Sequence, residues 1–223
     1  MPRHQHFRLP NKVKFQRALL DWFAEHGRDL PWRRTSDPYH ILVSEMMLQQ
    51  TQVDRVTPKY AEWLERYPTL PGLAEADLEE VKATWKGLGY NIRPVRLHSI
   101  ARETVAEYGG VLPREPEQLT QFKGIGRYTA GAIASFAYGK DAPILDTNVR
   151  RVLYRIFVNE GDPRSGPVDR RLWDISARTL PKGQAWAFNS ALMDFGATVC
   201  TARQPKCEGC VMAAFCKYRK ALA

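Results

Sequence analysis

The chain has 223 residues, enough to bury one large core or two modest ones. A content of 44% hydrophobic and 26% charged residues is that of an ordinary globular protein. Thirty-three Lys and Arg against 24 Asp and Glu leave a net charge of +9, which points to a polyanionic partner. The stretch from Met1 to Arg17 is basic and lacks the apolar run of a signal peptide. No segment approaches about 18 uninterrupted apolar residues, so a membrane span is excluded and a cytoplasmic location, nucleoid-associated in a prokaryote, is expected.

Helical periodicity and helix punctuation recur along the chain while alternating strand patterns are nearly absent, so the expected fold class is all-α. Val13 to His26 reads as one amphipathic helix ending at Gly27, and Leu30 to Arg34 reads as a loop. Ser36-Asp37-Pro38 supplies a capping side chain and a first-turn proline for a helix expected to run to Val53. Thr57-Pro58 repeats that device. Further helices are expected over Leu73–Trp85, Arg93–Tyr108, Glu117–Phe122, Arg127–Tyr138, Asp146–Phe157, Val168–Leu180 and Ala185–Val199, with surface loop 159–167. The proposed division is a six-helix domain over 27–140 and a second domain made of 1–26 plus 141–223.

All four cysteines fall between Cys200 and Cys216, with Cys207 and Cys210 between them, in the spacing C-x6-C-x2-C-x5-C. Four thiolates so placed suit an iron-sulfur cluster, a tetrahedral zinc ion or two disulfides. Disulfides suit least in a thiol-reducing compartment, and the single Cys-x-x-Cys knuckle departs from the usual paired zinc pattern.

Three other stretches carry possible chemistry. Glu45 interrupts the apolar run Ile41–Leu48; it lies either on a narrow solvated face beside Gln49 and Gln52, or buried where its ionisation is costly and its pKa useful. Asp146 precedes a helix and is a natural N-cap, and capping alone would account for it. Two carboxylates in unlike environments are nevertheless what cleavage of a glycosidic bond through an oxocarbenium-like transition state requires. Lys123-Gly124-Ile125-Gly126-Arg127 sets two glycines and two cations between helices, which suits binding of a nucleic-acid backbone through a helix N-terminus, or simply a close packing turn.

The Gly-Ile-Gly hairpin, the Asp some twenty residues beyond it and the terminal cysteine segment together resemble the helix-hairpin-helix DNA glycosylase superfamily, in the iron-sulfur branch that includes endonuclease III. Ser44–Val53, Gly87–Tyr90, Arg127–Ile133, Phe188-Asn189 and Met193-Asp194 are most similar to the MutY-type adenine mismatch glycosylases. The resemblance implies a two-domain fold sharing a cleft, a six-helix domain and an iron-sulfur cluster domain. It implies a 4Fe-4S cluster on Cys200, Cys207, Cys210 and Cys216, and a double-stranded DNA partner containing a mismatch, bound by a monomer. Glu45 would then protonate the leaving base, and Asp146 would stabilise the sugar cation with Asn148 in support. Tyr128 stands where endonuclease III has its lyase lysine, so no Schiff base would form there and the enzyme would be monofunctional. Trp32 and Arg33 would line the base pocket. Gln50 and Tyr90 would wedge into the duplex as the nucleotide flips out. Lys123, Gly124, Gly126 and Arg127 would hold the DNA backbone, with Arg203, Lys206, Lys217 and Arg219 as further phosphate contacts.

The pattern departs from the MutY type at several places. The chain ends seven residues after Cys216, where that type continues into a second domain; Gly-Tyr-Tyr reads Gly89-Tyr90-Asn91; the hairpin's Pro-Gly reads Lys123-Gly124; and Ser190 stands where Glu or Gln is common. Thymine-removing G:T glycosylases share the short length, the Glu, the hairpin Tyr and the Asp. Gln49–Val53 favours adenine opposite guanine or 8-oxoguanine as the excised base, whereas length and Ser190 favour thymine or uracil opposite guanine. A catalytically idle DNA-binding module is the third alternative.

Overall fold

A computed structural model describes residues 9–222; the first eight residues of the basic N-terminal stretch lie outside the described residues. Among the described residues every regular element is helical, and no helix is long and apolar enough to cross a membrane. The chain divides into two compact units, Asp29–Ala142 and a second built from the residues up to Arg28 and from Pro143 onward.

Asp29–Ala142 begins with a 3-10 turn at Pro31–Arg33, where a loop was expected, and continues into helix α2, Pro38–Leu48, after helix α1 (Lys12–His26) of the other unit. Asp37 caps α2 by accepting from the Tyr39 and His40 amides at 2.7 and 3.4 Å, and Pro38 occupies the first turn. Every residue from Ile41 to Met47 is buried, so α2 is the central rod of this unit. Helices α3 (Val53–Arg66), α6 (Ile92–Tyr108) and α8 (Arg127–Phe136) pack on it. The core includes Trp63, whose indole N–H donates to the Tyr39 hydroxyl at 3.0 Å, while that hydroxyl donates to the Tyr67 carbonyl at 2.8 Å. Large apolar rings are thereby buried with their polar atoms satisfied.

Three expected boundaries are corrected. Helix α2 stops at Leu48 rather than Val53, because Gln50 turns into the left-handed region at φ 57°. The next helix begins at Val53, not at the Thr57-Pro58 pair; Pro58 lies inside α3, and the Thr57 hydroxyl bonds back to the Val53 carbonyl at 3.0 Å. The single helix expected over Leu73–Trp85 is two, α4 (Leu70–Glu75) and α5 (Leu78–Thr84). Asp77 splits them by capping α5, accepting from Glu79 and Glu80 amides at 2.9 and 3.1 Å. The hairpin follows a short helix α7, Pro116–Leu119.

In the other unit, α1 packs on α11 (Ala185–Thr198), α11 on α9 (Thr147–Leu153), and α9 on α10 (Gly166–Thr179). Phe15 anchors this core edge-on against Phe157 at 5.0 Å and Phe188 at 5.9 Å. Asp194, fully buried on α11, is paired by Arg28, whose Nη2 lies 2.6 Å from its Oδ1 and whose backbone N–H donates to its Oδ2 at 2.9 Å. Helix α9 does not run on as one α-helix to Phe157: it widens into a π-helical turn at Tyr154–Val158, against which the short α12 (Lys217–Lys220) packs.

Candidate functional site

Asp146 is the N-cap of α9, as its place before the helix implies. Its Oδ1 accepts from the Val149 amide at 2.7 Å, and its Oδ2 accepts from the Asn148 side-chain amide at 3.1 Å. Asn148 is fixed in turn, since its Oδ1 accepts from Arg151 Nη2 at 2.8 Å. The same guanidinium donates to the Gly196 carbonyl at 2.6 Å and, through Nε, to the Cys200 carbonyl at 2.6 Å. A continuous hydrogen-bonded chain therefore links the first cysteine to the carboxylate. Burial pushes the Asp146 carboxyl above its ordinary 3.8, against the opposing pull of the Val149 and Asn148 donors and the Arg151 charge. Neither Arg151 nor Gly196 is among the residues the sequence singles out. Gly196 admits the close approach of α11 to α9, because a Cβ there would lie 2.7 Å from the Asn148 Cβ. The one sequence signal for it is a glycine inside an otherwise apolar helical pattern.

The four cysteines line one cavity of about 360 Å³, open mouth included. All four are free, so two disulfides do not form. Four sulfurs lining one cavity fit a cluster held by four thiolates. The donors fit thiolate as well: Arg155 Nη1 lies 3.5 Å from Cys200 Sγ, and the Met212 amide donates to Cys210 Sγ at 3.4 Å. Burial raises the Cys210 and Cys216 thiols, so a metal bound there would have to displace their protons. Bound there, a cluster cross-links the 200–216 segment through its thiolates.

In Asp29–Ala142, Glu45 is buried at 4% exposure on α2, which removes the solvated-face alternative. Trp32 is buried edge-on against Tyr60 at 5.5 Å, and Arg33 is half-buried beside it in the 3-10 turn. Gln50 and Tyr90 are exposed, and both hold left-handed backbone conformations, φ 57° and 48°, uncommon for residues with side chains. In the hairpin, Gly124 has φ +112° and would, with a Cβ, press to 2.9 Å from Arg96. Only glycine meets both conditions. Ile125 is buried and pins the turn, leaving Lys123, Gly126 and Arg127 exposed and Tyr128 half-buried at the start of α8. Ser190 lies on α11 of the other unit, buried beside Asn189. Arg203, Lys206 and Lys217 are exposed, with Arg219 partly covered.

Residues 43–178 match the HhH-GPD superfamily base excision DNA repair protein family, and residues 200–216 match the iron-sulfur binding domain of endonuclease III. The chain belongs to the HhH-GPD superfamily of base excision DNA repair proteins, with the endonuclease III type of iron-sulfur motif carried by its four cysteines. Within that class it is 44% identical to the adenine DNA glycosylase of Homo sapiens over 92% of this chain and 39% of that protein. It is 46% identical to the adenine DNA glycosylase of Mycolicibacterium smegmatis, over 91% of this chain and 69% of that protein. The thymine/uracil-DNA glycosylase of Pyrobaculum aerophilum is 37% identical over 90% of this chain and 89% of its own length. The chain thus spans only about two fifths of the mammalian relatives it matches. A solved thermostable thymine-DNA glycosylase superposes with a TM-score of 0.88 at 32% identity, covering 95% of this chain and 97% of its own.

Proposed function

We propose that the chain is a monofunctional, mismatch-specific DNA glycosylase that acts as a monomer and removes adenine opposite guanine or 8-oxoguanine. The observation that carries this reading is the held carboxylate of Asp146, fixed by Val149 and Asn148 with Arg151 behind it, in a chain 46% identical to a bacterial adenine DNA glycosylase. An ionised carboxylate so held suits electrostatic stabilisation of an oxocarbenium-like sugar cation, and its free lone pairs can orient the attacking water. Glu45, buried on α2, supplies the proton to the departing purine, which leaves as a neutral base; water then adds to the sugar carbon and its released proton restores the Glu45 acid. Extrusion of the nucleotide precedes both, with Gln50 and Tyr90 filling the space it leaves. The exposed Lys123 and Arg127, flanking the Gly124 turn, hold phosphate and contribute affinity without sequence readout. Tyr128 at the start of α8 offers no amine for a Schiff base.

A second reading, excision of thymine or uracil opposite guanine, is favoured by the 0.88 TM-score and near-complete mutual coverage with the thymine-DNA glycosylase structure. Single-turnover assays on A:G, A:8-oxoguanine, T:G and U:G duplexes, developed with alkali, decide between them. Cleavage confined to T:G and U:G refutes the adenine assignment, and cleavage of none leaves a DNA-binding module. Borohydride trapping of the unaltered protein at the level of a lyase would refute monofunctionality; Tyr128→Lys is expected to gain nicking without alkali.

A further inference from the structure

Arg93 on α6 is 2% exposed, and its guanidinium has no carboxylate among six acceptors. Nη1 donates to the carbonyls of Met46, Met47 and Gln49 at 2.9, 2.8 and 2.7 Å. Nη2 donates to the Thr51 hydroxyl and the Leu88 and Gly89 carbonyls at 3.1, 2.9 and 3.0 Å. These acceptors are not scattered. Gln49 and Thr51 flank Gln50 on both sides, and Gly89 immediately precedes Tyr90. One planar cation thus grips the two loops whose tips are the exposed, left-handed residues Gln50 and Tyr90. The guanidinium also lies 5.2 Å from the Trp85 ring and 5.5 Å from the Tyr90 ring, which fixes its plane. Arg55 holds the second loop from outside by donating to the Gly87 carbonyl at 2.7 Å.

Taking a cation out of water without a counter-ion is costly, and fewer hydrogen bonds would end α2 adequately. The arrangement is accounted for if the spacing of the two tips matters. We propose that Arg93 is a positioning residue that locks Gln50 and Tyr90 into one two-pronged wedge, so that both enter the duplex together when the target nucleotide is extruded. The inference rests on the wedge reading of these two residues. Lysine cannot replace arginine here, because a single ammonium cannot present two nitrogens to two loops at once.

The experiment is a double-mutant cycle on the full chain, reading extrusion by stopped-flow fluorescence of 2-aminopurine placed beside the target adenine in an A:8-oxoguanine duplex, with a T:G duplex in parallel. Arg93→Lys is expected to slow extrusion about ten- to a hundredfold in the otherwise unaltered protein. In the Gln50→Ala/Tyr90→Ala background the same change is expected to alter the rate by less than about twofold, because the groups it positions are gone. An equal penalty in both backgrounds overturns the proposal and leaves Arg93 a stability staple. If Gln50→Ala/Tyr90→Ala itself leaves extrusion unchanged, the wedge reading fails first, and that result is distinct. Should Arg93→Lys fail to fold, Thr51→Val removes one acceptor only; a slowing confined to the protein with both tips intact supports the proposal, and a slowing shared by both backgrounds overturns it.

Discussion

Each unit of the molecule carries one acid of interest and one arginine that organises its surroundings, and the two arginines differ in what they do. Arg93 donates its hydrogen bonds to neutral acceptors, five carbonyls and a hydroxyl. It can shape loops, and none of those six acceptors titrates. Arg151 also serves carbonyls, those of Thr147, Gly196 and Cys200, yet it donates to Asn148 as well, and its charge pulls the Asp146 pKa down against the burial that raises it. One fixes geometry alone, whereas the other fixes geometry and charge together. The acids differ in parallel: Glu45 sits within the buried run Ile41–Met47 of α2, and Asp146 at a helix N-terminus with two defined donors.

The largest expected effect is at Asp146. Asp146→Asn keeps an oxygen to accept from Val149 but loses the charge that would face a sugar cation, and single-turnover excision should fall on the order of a thousandfold while mismatched-duplex binding survives. Full activity would remove Asp146 from the chemistry. Glu45→Gln comes next, with a loss of about a hundredfold, since a general acid is removed while the polar shape remains. The comparison sharpens if a better leaving group than adenine restores the Glu45→Gln rate but not that of Asp146→Asn. It breaks if both variants respond alike.

Legibility in the sequence follows the same division between local and assembled features. The cap at Asp146, the cap at Asp37 and the hairpin turn at Gly124 depend on neighbours in the chain, and each is readable from a few adjacent residue types. The cysteine segment is equally local, although spacing alone leaves zinc open and the match to the endonuclease III motif is what assigns it. Arg93 and Arg151 are not legible, because their acceptors lie as far as 47 and 49 residues away along the chain. No periodicity distinguishes them from solvated arginines. Glu45 is intermediate: the apolar run shows that the carboxylate is unusual, but whether it meets solvent depends on α3, α6 and α8 closing around α2. Pro58 misleads for a different reason, since proline marks helix starts statistically and is tolerated within α3, where Val53 already begins the helix.

The smallest of the three effects separates the two arginines most sharply. Asp146 is useful to a sugar cation only when ionised, so excision is lost as pH falls through its pKa, which burial holds above 3.8. The acid limb of the rate profile therefore lies higher than that of an ordinary aspartate. Arg151→Met removes one of the groups that pull this pKa down, so the limb should move further up. Near that limb the rate should fall severalfold, and part of the loss should return as pH rises. Arg151→Lys keeps the charge and should move the limb less while still disturbing Asn148. Arg93→Lys should lower the rate without moving the limb, because none of its six acceptors titrates in this range. A pH–rate series on the three variants checks this directly. If Arg151→Met lowers the rate uniformly at every pH, its charge does not reach Asp146, and both arginines act through shape alone.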